Sequence, residues 1–363
     1  MTEREMIADP ETIEVRPDET LDLARLEPWL REHLEGAEGP LSVRQFGGGH
    51  ANLTYLLDFG GRELVLRRPP LGPVAPSAHD MAREHRVLSR LWRAFPLAPR
   101  SYLLCTDPAI LGVDFHVLER RRGFVIRAAN ADVVEGKPEL ARRIGRMIVD
   151  VLADLHNVKP ETVGLGDLGR PEGFVARQVE GWTKRWHAAL DEAAPDASDV
   201  VAWIEGDIPD SPQVSLIHND FKLDNIMVAN DDPARAVAVL DWDMCTRGDP
   251  LMDLGTLLNY WADAEDPESW RRAAFMPTDK PGFPKRREIA ARYGTRTGFD
   301  LSRLAWYQVF GAFKIAVILQ QIYIRYLRGQ TRDERFATMG ERVRALIDKG
   351  RQMAAEASAG HKA

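Results

Sequence analysis

Along the early part of the chain, apolar residues fall in short alternating runs; later they recur at helical spacing. The stretch DLARLEPWLREHL (22–34) carries the helical pattern. After it, LSVRQF (41–46), NLTYLLDF (52–59) and RELVLRR (62–68) read as strands. Gly47-Gly48-Gly49 and Gly60-Gly61 separate them, as the turns of an antiparallel meander would. A loop containing Pro69, Pro70, Pro73 and Pro76 leads into SAHDMAREHRVLSRLWRAF. There Ser77 and Asp80 predict a capping box, and Met81, Leu88 and Leu91 mark one helical face. Two more strand-like runs, SYLLCT (101–106) and GVDFHVLER (112–120), complete the region. The expectation is an N-terminal arm over 1–20, then a unit over 21–119 with five strands and one inserted helix.

Past a connector at 120–123 the texture becomes helical, and 124–363 reads as a larger, mostly helical unit. ELARRIGRMIVDVLADLHNV (139–158) and GFVARQVEGWTKRWHAAL (173–190) are amphipathic. The segment 301–328 is apolar nearly all round and is expected deep in a helical core. Strand-like material is confined to SLIHNDFKLDNIMV (215–228) and RAVAVLDWD (235–243), read as a β-hairpin. The fold class is therefore α+β, a small antiparallel sheet followed by a larger helical unit.

SLIHNDFKLDNIMV is an unusual thing to bury. Two aliphatic runs bracket His218, Asn219, Asp220, Lys222, Asp224 and Asn225. The spacing from Asp220 to Asn225 is D-x-x-x-x-N, and Asp241 closes the next aliphatic run. Phosphoryl transfer from ATP needs a group to orient and deprotonate the acceptor hydroxyl, and oxygen ligands for Mg²⁺. A carboxylate suits the first role; an amide oxygen and a second carboxylate suit the second, because Mg²⁺ takes few protein ligands beside phosphates and water. The bland alternative is a polar turn whose Asp and Asn satisfy backbone groups.

Composition narrows the partners. The 363 residues carry a formal net charge of -7, which argues against nucleic acid or an anionic membrane as the main partner. No purely apolar run approaches the ~20 residues of a membrane span, and the acidic N-terminus does not resemble a signal peptide. Only two cysteines occur, Cys105 and Cys245, without metal-ligand spacing, so a cytoplasmic location is expected. Nothing in the sequence bears on oligomeric state.

His218-x-Asp220 with Asn225, followed by LDWD (240–243), resembles the catalytic loop and metal motif of the aminoglycoside phosphotransferase and choline kinase group, small-molecule kinases with a protein-kinase-like fold. GGGHANLTYLL resembles that family's phosphate-covering loop and second strand, LVLRRPP its third strand, and AHDMAREHRVLSRL the helix with its ion-pair Glu. FHVLERRRG resembles the hinge, and GDPLMDLGTLL (248–258) the segment after the metal Asp. VLRRPP…SAHDMAREHRVL and RYGTRTGFD (292–300) are similar to a subgroup related to kinase domains fused to some acyl-CoA dehydrogenases.

The resemblance implies a fold of two lobes, ATP and Mg²⁺ as cofactors, and a hydroxyl-bearing small-molecule acceptor. It implies Asp220 as the base, His218 as its brace, and Asn225 and Asp241 as Mg²⁺ ligands. Glu84 would pair with Arg67, which would touch the α- and β-phosphates. Gly47, Gly48, Gly49 and His50 would cover the phosphates, Glu119 and Arg121 would hold the adenine edge, and Leu118 would line the pocket behind it.

Three features depart from the general kinase pattern: Arg67 stands where Lys is usual, the glycine run is not G-x-G-x-x-G, and Arg120-Arg121-Arg122 makes a basic hinge. The first leaves a competing reading open, a nucleotide-binding regulatory module without turnover. The acceptor also stays open between an aminoglycoside, a hydroxylated acyl thioester and another metabolic alcohol.

Other residues have structural readings beside functional ones. Asp249 before Pro250 is expected to cap a helix, and Asp253 to interact with the end of that helix. Asp243 is either a second metal neighbour or a structural carboxylate. Trp182 and Trp186 share one helical face, from packing or as an acceptor wall. His156 reads as a core or capping residue, and 264–287 as a long irregular loop over the acceptor site.

Overall fold

A computed structural model describes residues 12–47, 52–71, 79–192, 194–211, 213–331 and 333–360. It divides into two compact units: Met1–Arg122 together with Ala238–Cys245, and Gly123–Val237 together with Thr246–Ala363.

The first unit is built on an antiparallel sheet of six strands: β1 (Thr12–Ile13), β2 (Leu41–Phe46), β3 (Leu53–Phe59), β4 (Glu63–Arg68), β5 (Ser101–Cys105) and β6 (Phe115–Glu119). Their order is β1-β2-β3-β4-β6-β5. The expected five strands are joined by β1, which pairs Thr12 with Phe46 from within the supposed arm. Three helices accompany the sheet: α1 (Leu23–His33), α2 (Met81–Leu91) and the one-turn α3 (Pro108–Leu111). Inward positions of β3, β4 and β6, among them Tyr55, Leu57, Leu66, Phe115 and Val117, bury against Leu26 and Leu30 of α1. Asp80 caps α2, its carboxylate accepting the Arg83 N–H at 2.9 Å; Ser77, the other member of the expected capping box, lies outside the described residues.

The returning segment 238–245 is part of this unit. Val239 donates its N–H to the Leu97 carbonyl at 2.8 Å. Trp242 is wholly buried, packed edge-on against Phe95.

The second unit holds β7 (Phe124–Val125), β8 (Ser215–Ile217), β9 (Ile226–Val228), β11 (Thr246–Gly248) and the start of β10 (Ala236–Val239). The two aliphatic runs around the polar loop part company: β9 pairs with β7 and β10, whereas β8 pairs with β11. The loop therefore joins two small sheets, which fixes it from both ends, and β9 pairs with β10 as the expected hairpin requires.

Helices α4 (Pro138–His156), α5 (Phe174–Ala189), α6 (Ser198–Gly206), α7 (Leu251–Tyr260), α8 (Glu268–Ala273), α9 (Arg286–Thr297), α10 (Leu304–Leu327) and α11 (Met339–Gly360) complete the unit. Helix α8 interrupts what the sequence suggested was one irregular loop. Helix α10 packs against α5, α7 and α11. It is long and apolar enough to cross a membrane by length and composition, but 72% of that stretch is buried within the structure. Glycines let α7 and α10 approach closely: a Cβ on Gly255 would lie 2.4 Å from the Tyr307 carbonyl oxygen.

Candidate active site

In the first unit, alternation along β4 and a helical face of α2 bring Arg67 and Glu84 together. Arg67 Nη1 donates to Glu84 Oε1 at 2.9 Å, and Arg67 Nη2 donates to Asp241. With its amide oxygen turned toward the guanidinium, Asn52 accepts from Nη2 at 2.6 Å and Nε at 3.2 Å. Glu84 is buried and also takes the Trp242 N–H at 3.2 Å and lies 3.1 Å from His116 Nε2. Burial would push the Glu84 carboxyl up, but the charge of Arg67 and the bond to His116 outweigh it and hold it at about 2. Burial likewise opposes the charge on Arg67, and Glu84 and Asp241 reverse that, raising its proton affinity. Asp241 adopts a left-handed backbone, with φ 69°.

Of the expected phosphate-covering residues, Gly48, Gly49 and His50 lie outside the described residues. The Gly47 carbonyl accepts from Arg16 Nη2 at 3.4 Å. Leu118 is buried in β6. Glu119 spends its own N–H on the Arg100 carbonyl at 2.8 Å, so a purine held there would meet its carbonyl and not its amide. The basic hinge is tied down residue by residue. Arg120 lies 4.8 Å over the Phe46 ring, Arg121 pairs with Glu119 at 3.0 Å, and Arg122 pairs with Glu63 at 2.6 Å.

In the second unit, His218, Asp220 and Asn225 converge on the loop between β8 and β9. The Asp220 N–H reaches His218 Nδ1 at 3.3 Å. Asn225 Nδ2 donates to the Asp220 carbonyl at 2.8 Å and to its Oδ2 at 3.0 Å. That use of the amide nitrogen leaves the amide oxygen, the atom a hard cation takes. Lys222 Nζ grips both Asp220 oxygens, at 2.8 and 2.7 Å, and Tyr260 donates to Oδ1 at 3.4 Å. Burial, then the charge of Asp220, hold the Tyr260 hydroxyl protonated far above its usual range.

Asp253 stands in the first turn of α7, as the sequence suggests, and is also buried beneath the loop. There it accepts the N–H groups of His218 at 2.6 Å and Asn219 at 2.8 Å. Its Oδ2 also lies 3.3 Å from His156 Nε2. Burial alone would raise its carboxyl; His156 and His218 hold it below the usual value. Lys314 of α10 holds the same turn from the other side, donating to the Asn219 carbonyl at 2.8 Å. Asn219 needs such a clamp, because its φ is 67°, a left-handed conformation that Asn tolerates better than most residues.

Asp249 serves α7 from one residue further out than expected, accepting the Leu251 N–H at 2.8 Å and the Tyr307 hydroxyl at 2.6 Å. His156 is a buried core residue bonded to Tyr293. Trp186 packs edge-on against Phe313, and Trp182 lies beneath Lys314. The sequence assigns Lys222 no role and marks neither Tyr260, Lys314 and His116 nor the reach of Asp253 to the loop amides. Lys222 alone carried a local signal, standing two residues after Asp220.

Residues 42–307 match the profile of the phosphotransferase enzyme family, APH. Over 357 residues the chain is 32% identical to acyl-CoA dehydrogenase family member 11 of Rattus norvegicus, covering 96% of this chain and 45% of that one. It thus spans a little under half the length of the curated relatives it matches. A crystal structure of an aminoglycoside phosphotransferase candidate from Ralstonia eutropha JMP134 superimposes with a TM-score of 0.80 at 32% identity, covering 93% of this chain and 99% of that one. The aminoglycoside phosphotransferase APH(4)-Ia, in ternary complex with AMP-PNP and hygromycin B, shares the fold at a TM-score of 0.55 and 18% identity, covering 90% and 98%.

Proposed function

This chain belongs to the phosphotransferase enzyme family, and from that premise we propose that it is an ATP- and Mg²⁺-dependent kinase that phosphorylates a hydroxyl of a small molecule. The observation that carries the reading is the fixed carboxylate of Asp220. It is held by Lys222 and Asn225 on a turn that Asp253 and Lys314 clamp, so it need not reorganise to meet a hydroxyl.

In this mechanism Asp220 orients the acceptor hydroxyl and receives its proton, and His218 braces the loop. Asn225, through its amide oxygen, and Asp241, through its carboxylate, are the side chains suited to Mg²⁺. Asp241 Oδ1 takes the Arg67 hydrogen bond, and Oδ2 has no hydrogen-bond partner among the described residues. Mg²⁺ supplies charge neutralisation across the phosphates. Arg67, held by Glu84, would contact phosphate oxygens. The Glu119 carbonyl is the group for a purine amino edge, with Leu118 behind it.

Arg67 was the feature that favoured a module without turnover. Its pairing with Glu84 supports the active reading instead, since an Arg keeps the charge this position requires. Because the curated relatives are named as acyl-CoA dehydrogenase family members, a hydroxylated acyl thioester is the first acceptor to try. The test is transfer of labelled γ-phosphate from MgATP to a panel of hydroxyacyl thioesters, simple alcohols and aminoglycosides. Label appearing on an acceptor supports the proposal; nucleotide binding with no transfer to any member counts for the inactive module.

A further inference from the structure

Lys314 is an unusual buried cation. It is 3% exposed, and its ammonium has three hydrogens to donate. One goes to the Asn219 carbonyl; among the described residues no other hydrogen-bond acceptor meets it. The remaining contact is the Trp182 ring, 5.8 Å from Nζ. Unmet donors on a buried charge are costly, and folded proteins normally fill them with an acceptor. A second cation rests on the same indole: the Arg185 guanidinium lies 4.7 Å from the Trp182 ring. Arg185 is exposed and has no ion-pair partner among the described residues. The carboxylates that act on the Lys314 charge are already engaged, Asp220 by Lys222 and Asp253 by the loop amides.

Resting on the phosphotransferase reading above, we propose that Lys314 and Arg185, stacked on Trp182, form an anion subsite beside Asp220 that selects acceptors carrying a carboxylate or phosphate group near the reacting hydroxyl. Asn219, which Lys314 holds, directly precedes Asp220, so the subsite adjoins the residue proposed to meet the acceptor hydroxyl. An anionic oxygen there completes the Lys314 hydrogen bonds and pairs with Arg185. Burial lowers the Lys314 proton affinity in the free protein, and an incoming anion would oppose that effect. The same charges repel a polyamine, so the acceptor differs in kind from a polycationic aminoglycoside.

The experiment measures calorimetric binding to the full chain with AMP-PNP and Mg²⁺ present. The probes are short hydroxyalkyl carboxylates, hydroxyalkyl phosphates of matched length, and methyl esters of the same carboxylates. The anions are expected to bind at least about tenfold more tightly than the esters, the scale of one charged hydrogen bond. The better-bound anion identifies which group the subsite takes. Arg185→Ala should remove most of that preference and leave ester affinity unchanged. Lys314→Met should also lower anion affinity, and Arg185→Ala keeps the test decisive if loss of Lys314 disturbs the loop. Equal affinity for acid and ester, a preference that survives in Arg185→Ala, or no binding by any probe would overturn the subsite. Anion-selective binding without phosphate transfer would leave the subsite standing and sink the kinase reading. Transfer to neutral alcohols with no anion preference would do the reverse.

Discussion

Asp253 accepts the backbone N–H of His218 at 2.6 Å, from a residue 35 positions further along the chain. The bond ties the first turn of α7 to the loop that carries Asp220, and the Asn219 N–H doubles it. Asp253→Ala would remove the carboxylate that both amides donate to, at a cost of about 2–4 kcal/mol. Asp253→Asn keeps one acceptor oxygen and should cost less. Urea denaturation of the two variants checks the order; equal stability would mean the loop finds other partners.

Asp220→Asn keeps the shape of the side chain and its contact with Lys222 but removes the proton acceptor. Transfer is expected to fall about a thousandfold, with MgAMP-PNP affinity little changed. Single-turnover transfer and nucleotide titration measure the two separately. Asp241→Ala should show the converse, losing the Mg²⁺-dependent part of nucleotide binding.

Glu84 gives a pH dependence of definite sign. Its carboxyl falls from 4.5 to about 2 on folding, so its contribution is complete above the ordinary carboxylate range and is lost as pH drops toward about 2. Between about pH 6 and about pH 3.5 the parent protein should lose stability more steeply than Glu84→Gln, which has no such proton to gain, and the difference is bounded by roughly 3 kcal/mol. Denaturant melts across that interval test it; parallel curves would show that Arg67 does not hold the carboxyl down.

Gly255→Ala sets two effects against each other. Helix propensity favours Ala by about 1 kcal/mol, but the new methyl would meet the Tyr307 carbonyl at 2.4 Å, where overpacking costs about 1–3 kcal/mol. Net destabilisation is expected, read as a lower Tm. A rise in Tm would mean that α7 and α10 separate easily.

Local pattern carried the chemistry further than the architecture. Asp220, Asn225 and Lys222 fall within six residues, so their proximity is written in the chain. Asp253 and His218, His116 and Glu84, or Lys314 and Asn219 stand 35, 32 and 95 residues apart, and nothing periodic marks them as partners. Strand β1 has two residues, too few to show alternation, so it was taken for an arm. The divergence of β8 from β9 depends on which distant strand each meets, information absent from either run. Arg67 and Glu84 were paired from family resemblance alone; read by itself, Glu84 among Arg83, His85 and Arg86 looks like a solvated helix charge.

The return of Ala238–Cys245 to the first unit has a consequence for synthesis. The sheet and its helices are translated first, but the Trp242 amide that Glu84 accepts, and the Asp241 carboxylate that Arg67 holds, follow only after about half of the helical unit. Until then Glu84 and Arg67 lack these two partners, and a fragment ending at Arg122 would stay at that stage.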